Sequence, residues 1–352
     1  MKKKQRAKNK LTQLDKAFTK CRSLLILMHD YPDPDAIASA LLLSYLAHKR
    51  YGLRTAIAHG GLITRAENRA MVQQLKLKLT HVDDVKWRRY PCIAVVDTQP
   101  GFGNNSLPNK VKPTIVFDHH PIKETSQAAF TDIRTDYGAS TTILLDYLEA
   151  AELEIPVDVA TAVAYAIRSE TQDLGRDASP ADIEAYLSVY PKANKRILAK
   201  IFNPMLPKAY FILIHTALEK AKVYRHLTHV HLGKLESAEF VSLAADFLLQ
   251  HERITWSIVT GRYQGVLFIS LRSSHPTAHA GKLLKQIIGR RGSGGGHPMV
   301  AGGRIPIKMD KDEVWKKMEN IIIERFLHKL GFHNMVKWKP MLFNSESPEN
   351  GS

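Results

Sequence analysis

The chain has 352 residues, is 44% apolar, and sets 50 Lys and Arg against 34 Asp and Glu, a formal charge of +16. This length suits two domains with separate cores, and this composition excludes a chain disordered throughout. No apolar run reaches bilayer-spanning length, and the positive surplus favours partners that carry phosphate: nucleic acid or nucleotides, with no membrane role.

The N-terminus opens with a Lys/Arg-rich stretch that has no apolar segment of a secretory signal behind it, so residues 1–19 are expected to be a basic tail. Two cysteines, Cys21 and Cys92, cannot build a disulfide framework and form no CxxC motif, which points to a reducing, cytoplasmic setting. Leu24 to Met28 is a short apolar run, and Ala36 to Arg50 has apolar residues at helical spacing. That succession predicts a buried parallel strand feeding a helix. Between them lies His29-Asp30-Tyr31-Pro32-Asp33-Pro34-Asp35, placed at the carboxyl end of the strand, where open α/β sheets bind ligands.

Further strands are expected at Arg54 to His59, at Pro91 to Asp97 and at Thr114 to Asp118, the last running into His119, His120 and Pro121. Helices are expected at Asn68 to Leu75, from Gly138 to about Ala151 and from Asp158 to Thr171. This alternation predicts an α/β fold with a parallel doubly wound sheet over residues 20–190. A proline-broken helical linker follows at 191–225. A smaller α+β domain at 226–332 has strands at Thr228 to Leu232, Ile254 to Thr260, Gly265 to Leu271 and Arg304 to Ile307. It also has helices at Ala278 to Ile288 and Lys311 to Leu330, and a glycine-rich loop from Gly289 to Gly303. Residues 333–352 read as a C-terminal tail.

Three separate strand ends thus deliver His29, Asp33 and Asp35, then Asp97, then Asp118, His119 and His120. A mixture of carboxylate and imidazole without thiolate suits Mn²⁺ or a similar divalent ion, with Mg²⁺ or Co²⁺ as alternatives. Asp33 and Asp35 alternate along extended backbone and so can face two ions about 3.5–4 Å apart, with Asp97 bridging them.

His-x3-Asp-x-Asp at 29–35, the strand-terminal Asp97 and Asp-His-His at 118–120 resemble the first three motifs of the DHH phosphoesterase family. Arg272-Ser273-Ser274, Gly294-Gly295-Gly296-His297 and Ala301-Gly302-Gly303 resemble the associated DHHA1 substrate-binding domain. Within the family, the chain is most similar to the nano-RNase/pAp phosphatase group. The resemblance implies that His29 and Asp33 hold one Mn²⁺, that Asp35 and His119 hold a second, and that Asp97 bridges. It further implies that Asp118 orients His119, and that His120 contacts the scissile phosphate or assists the leaving group. The metals would polarise phosphoryl oxygens and supply hydroxide. In place of the family's fourth motif stands Ser169-Glu170-Thr171, which makes Glu170 the remaining ligand, with Asp173 as competitor.

Arg272, Ser273, Gly294, Gly295, Gly296 and His297 would clamp the substrate, the arginine by forking onto a phosphate and the glycines by bringing backbone amides close to an anion. Arg65, Asn68, Arg69 and Lys282 could add contacts, and surface solvation explains them equally well. The expected activity is hydrolysis of short RNA or DNA oligonucleotides to mononucleotides in a cleft between two domains, with pAp as a further substrate and a homodimer as one form to test. A phosphodiesterase acting on cyclic dinucleotides or single-stranded DNA, and a nucleotide- or RNA-binding regulator with weakened catalysis, are the rivals.

Overall fold

The computed structural model describes residues 2–63, 65–122, 127–175, 178–296, 298–333 and 336–342. The chain divides into two units, Met1–Met205 and Leu206–Ser352.

The first unit begins with a correction. Residues expected to form a basic tail make helix α1 (Lys2–Phe18), in which Ala7, Leu11, Leu14 and Phe18 are buried. They recur at helical spacing along one face, and the lysines between them occupy the other. Then follow β1 (Ser23–Leu27), α2 (Pro34–Tyr51), β2 (Arg54–His59), α3 (Ala66–Gln74), β3 (Leu79–His81), β4 (Cys92–Val96), β5 (Ile115–Asp118) and β6 (Phe130–Ile133). Four helices complete the unit: α4 (Ser140–Ala150), α5 (Val157–Glu170), α6 (Pro180–Val189) and α7 (Lys195–Phe202). The six strands are all parallel, in the order β3-β2-β1-β4-β5-β6. Every residue of β1 and β4 is buried, as expected of central strands covered on both faces. The short edge strands β3 and β6 carry no long apolar run and are not evident in the sequence.

Parallel pairing of β1 with β4 sets Leu24 beside Cys92 and brings the turn after α1 to the same end of the sheet. Cys21 and Cys92 are joined there in a disulfide. The two cysteines, which the sequence did not pair, are thus bonded to each other. Among the described residues no helix is long and apolar enough to cross a membrane.

The second unit contains α8 (Lys208–Lys220), β7 (Lys222–Tyr224), β8 (Leu227–Lys234), α9 (Phe240–Leu249), β9 (Trp256–Tyr263), β10 (Val266–Ser273), α10 (Ala280–Ile288), β11 (Ser293–Gly296), β12 (Val300–Pro306), α11 (Asp312–Lys329) and β13 (Lys339–Pro340). Its strands form one sheet in the order β11-β12-β10-β9-β8-β7-β13, antiparallel apart from the β8–β9 pair. Leu227 packs with the core under α10 and α11, whereas Val230 and Leu232 join the core with α8 and α9. The segment expected to be a C-terminal tail contributes β13 to the sheet edge, and Val336 and Trp338 pack on the core. Residues 334, 335 and 343–352 of that segment lie outside the described residues.

A candidate metal centre at the switch point of the sheet

In a sheet ordered 3-2-1-4-5-6, the crossover connections from β1 and β4 run to opposite faces, and a crevice opens at the carboxyl ends of these two strands. His29 follows β1 and Asp97 follows β4. The loop after β1 is pinned by backbone bonds from Asp30 N–H to Asn104 O (2.7 Å) and from Tyr31 N–H to Gly60 O (3.0 Å). Asn68, read from the sequence as either a substrate contact or a solvated surface residue, is instead buried and donates to the Pro32 carbonyl at 3.2 Å.

Asp33 has two tasks. Its Oδ1 caps α2 by accepting the Ala36 N–H at 3.0 Å, while Oδ2 lies 3.5 Å from His29 Nε2. Asp97 sits at φ 58, a left-handed conformation that only a surrounding structure holds for a non-glycine residue. Its Oδ2 is 3.6 Å from His29 Nε2, and its Oδ1 is 3.6 Å from His119 Nε2 and 3.9 Å from His120 Nδ1. Ligand atoms of His29, Asp33 and Asp97 lie within 4.8 Å of one another, and so do those of Asp97, His119 and His120. One carboxylate therefore belongs to two clusters.

The histidines are oriented from behind. His29 Nδ1 is 2.9 Å from the Asp30 carbonyl and His119 Nδ1 is 3.2 Å from the Tyr137 carbonyl. A carbonyl accepts only, so each Nδ1 carries a proton and each ring turns its Nε2 toward the carboxylates, where loss of any proton there would leave a lone pair for a cation. His120 Nδ1 bonds Asp118 Oδ1 at 2.9 Å. Asp118 also accepts the His119 N–H at 2.8 Å and the Gln99 Nε2–H at 2.6 Å, so it orients this corner from behind. Asp35 is wholly buried, and its oxygens accept the N–H groups of Ser140 (2.7 Å) and Thr141 (2.9 Å) at the start of α4. Its Oδ2 lies 4.0 Å from His119 Nε2. Asp182 on α6 holds the turn before α4 by accepting the Gly138 N–H at 2.7 Å. Gln99, Tyr137, Ser140, Thr141 and Asp182 were not identified in the sequence as site residues; only the Gly-Ala-Ser-Thr-Thr helix opening drew attention to their neighbourhood.

Burial, followed by the charges of Asp35, Asp33, Asp118 and Glu170, holds the Asp97 carboxyl well above its usual range. Burial and the Asp33 charge raise Asp35, against the pull of His119. Burial opposes a proton on His29, yet the Asp33 carboxylate pushes it up to about 9. Burial likewise opposes a proton on His120, and the bond to Asp118 overcomes it. The Glu170 charge acts on both Asp97 and His120, whereas the Asp173 carboxylate is paired with the Arg168 guanidinium. The Glu170 charge is thus felt at the cluster, while Asp173 is committed to Arg168.

Within the cluster, His119 Nε2 is buried without a hydrogen-bond partner among the described residues. An orphaned imidazole nitrogen among buried carboxylates of like charge is what a divalent cation satisfies, and an oxygen and nitrogen donor set suits Mn²⁺ or a similar ion. These residues fit a metal.

At the mouth of the crevice Tyr31 is 64% exposed at φ 58. Its ring lies against Gly61, where an added Cβ would meet three ring carbons at 2.9 Å, and where φ is +62. Glycine at 61 thus supports one face of the ring.

The residues expected to clamp substrate lie in the second unit, and several are otherwise engaged. Arg272 is buried, with Nε donating to Asp246 and Nη1 to the carbonyls of Leu271 and Ala301 at 3.2 Å each. It does not fork onto a phosphate in this arrangement. Ser273 Oγ donates to the Thr255 carbonyl at 3.1 Å. Gly294, Gly295 and Gly296 form an edge strand rather than a loop, and a Cβ at Gly281 of α10 would meet the Gly296 carbonyl at 2.2 Å. Close packing of strand on helix accounts for glycine at this contact. His297 lies outside the described residues, while Lys282, Arg65 and Arg69 lie at or near the surface.

The chain matches the family models of the DHH family N-terminal domain over residues 23–167 and of the DHHA1 domain over residues 216–324. It is 34% identical over 323 residues to an uncharacterized protein of Methanocaldococcus jannaschii, covering 89% of this chain and 65% of that protein. It is 30% identical over 148 residues to a probable manganese-dependent inorganic pyrophosphatase of Lactobacillus gasseri, covering 42% of this chain and 47% of that one. The chain thus spans just under two thirds of the first relative's length and about half of the second's. The crystal structure of an exopolyphosphatase-related protein from Bacteroides fragilis shares the fold, with a TM-score of 0.70 at 16% identity over 91% of this chain and 98% of that one.

Proposed function

The chain belongs to the DHH/DHHA1 phosphoesterase family, and we propose that it is a metal-dependent phosphohydrolase releasing mononucleotides from short oligonucleotides. The observation that carries the hydrolase reading is the Asp97 carboxylate, whose two oxygens face separate clusters of ligand atoms. His29, Asp33 and Asp97 would hold one Mn²⁺; Asp97, Asp35, His119 and Glu170 would hold a second. When bound, such ions act as Lewis acids toward phosphoryl oxygen and generate the nucleophile.

The chain's own residues supply the rest. Ser140 Oγ donates to Asp97 Oδ1 at 2.9 Å, and the α4 amides fix Asp35, so both carboxylates are held in place by donors of this chain. Asp118 accepts a hydrogen bond from His120 Nδ1–H, which fixes the ring and favours its protonated form, so that the imidazolium can give its Nε2 proton to the departing phosphate ester oxygen and become neutral. The exposed ring of Tyr31 offers a stacking face for a base, and the +16 charge suits a polyanionic substrate.

Purified protein with Mn²⁺ should release mononucleotides from a labelled RNA dinucleotide, and Asp97→Ala should abolish this. Failure to cleave a dinucleotide, pAp or pyrophosphate would refute the hydrolase itself. The identity to a probable pyrophosphatase favours a second reading, hydrolysis of inorganic pyrophosphate. Tyr31→Ala separates the two: lost stacking should raise KM for the dinucleotide about tenfold, while a substrate without a base would be unaffected.

A further inference from the structure

In the second unit a cavity of about 590 Å³ replaces apolar packing on one face of the sheet. Its floor is β8, where His229 and His231 alternate onto the same face as Leu227, under α11. Asn320, Ile323, Glu324 and Leu327, spaced along one face of α11, form one wall, and Phe332 and Trp338 form another. The volume falls in the range of small-molecule pockets.

His229 sets this cavity apart from a packing defect. It is 7% exposed, and neither ring nitrogen has a hydrogen-bond partner among the described residues. Buried polar groups are nearly always paired, and a leucine at this register position would avoid the cost of leaving two unpaired. Burial, together with His231 and Lys222, holds its pKa down to about 3, so the neutral ring offers one donor and one acceptor. It stands edge-on to Trp338 with ring centroids 4.3 Å apart, and Lys222 lines the same cavity. An adjoining cavity of about 360 Å³ shares His231 and Asn320 and adds Lys220, Lys316 and Arg262. Arg262 is bidentate on Glu319, at 3.0 and 3.2 Å, so the lysines carry the surplus charge.

We propose that the two cavities together bind a planar heteroaromatic anion of mononucleotide size, its ring against His229 and Trp338 and its acidic group toward Lys222 and the neighbouring lysines. The site lies at the far side of the sheet from the glycine strand β11, with β12, β10 and β9 between. Among the described residues, the ligand clusters tight enough to share a cation lie in the first unit, so imidazole here is assigned to an organic ligand. The inference does not depend on the proposed hydrolysis.

The test is calorimetric titration of the full chain with 5′-AMP in EDTA. Saturable binding is expected, weakened about tenfold or more by His229→Leu and by Lys222→Gln, and unchanged by Asp97→Asn. Adenosine, without the phosphate, and inorganic phosphate, without the ring, should each bind more weakly. Lys222 is exposed, so its variant decides the matter even where His229→Leu fails to fold. Absence of saturable binding, binding that survives Lys222→Gln, or binding lost in Asp97→Asn would overturn the assignment. Zn²⁺ binding abolished by His229→Leu, without any binding of 5′-AMP, would overturn it in favour of a cation site.

Discussion

In the metal-free protein, the His29–Asp33 pair should make folding stability fall as pH rises from 6.5 to about 9. His29 Nε2 lies 3.5 Å from Asp33 Oδ2 and 3.6 Å from Asp97 Oδ2, and the ring is largely shielded from water. Burial disfavours the imidazolium, yet the Asp33 carboxylate raises its pKa from 6.5 to about 9. At about 1.4 kcal/mol per pH unit, this corresponds to about 3 kcal/mol of folding stability. Because the folded-state pKa is the higher one, that stability is fully present below pH 6.5 and is gone above about 9. Urea unfolding in EDTA, compared between wild type and His29→Gln from about pH 6 to about pH 9.5, isolates the contribution. The wild type should lose stability across this window relative to the variant, and parallel curves would refute the reasoning. A cation needs the neutral ring, so Mn²⁺ affinity should climb over the same window, with release of a proton on binding.

Asp97→Asn removes a buried charge that its neighbours oppose, so in EDTA at pH 7 it should stabilise the protein by on the order of 1 kcal/mol while Mn²⁺ ceases to raise Tm; a lower Tm in EDTA would count against the repulsion inferred here. Gln99→Leu leaves Asp118 Oδ2 without its 2.6 Å donor, and should cost about 1–3 kcal/mol and weaken Mn²⁺ binding about 10–100-fold. Unchanged melting and calorimetry would refute that role. Leu14→Ala in α1, at a fully buried position, should cost about 2–5 kcal/mol by chemical denaturation, whereas a mere tail would register no change.

Much of the site was legible because its chemistry is local in sequence. A strand that must be buried on both faces reads as an unbroken apolar run, and the polar residue that ends it is therefore conspicuous; His29, Asp97 and Asp118 were all found this way. Where apolar residues are few or interleaved with charge, this signal fades, as in α1 and in the edge strands β3 and β6. Residue type alone also misled at Arg272, whose guanidinium is suited to phosphate but is committed to Asp246 and two carbonyls.

What the sequence determined by itself is the donor set and its place at strand ends, since periodicity dictates where a strand stops and side-chain chemistry dictates what can ligate. Which strands stand side by side was decided only by the tertiary structure. The order that sets β1 against β4 brings His29 within reach of Asp97 and joins Cys21 to Cys92. In the second unit the tertiary structure likewise left His229 inside a cavity with no hydrogen-bond partner among the described residues, because whether a buried imidazole finds a partner depends on neighbours distant in the chain.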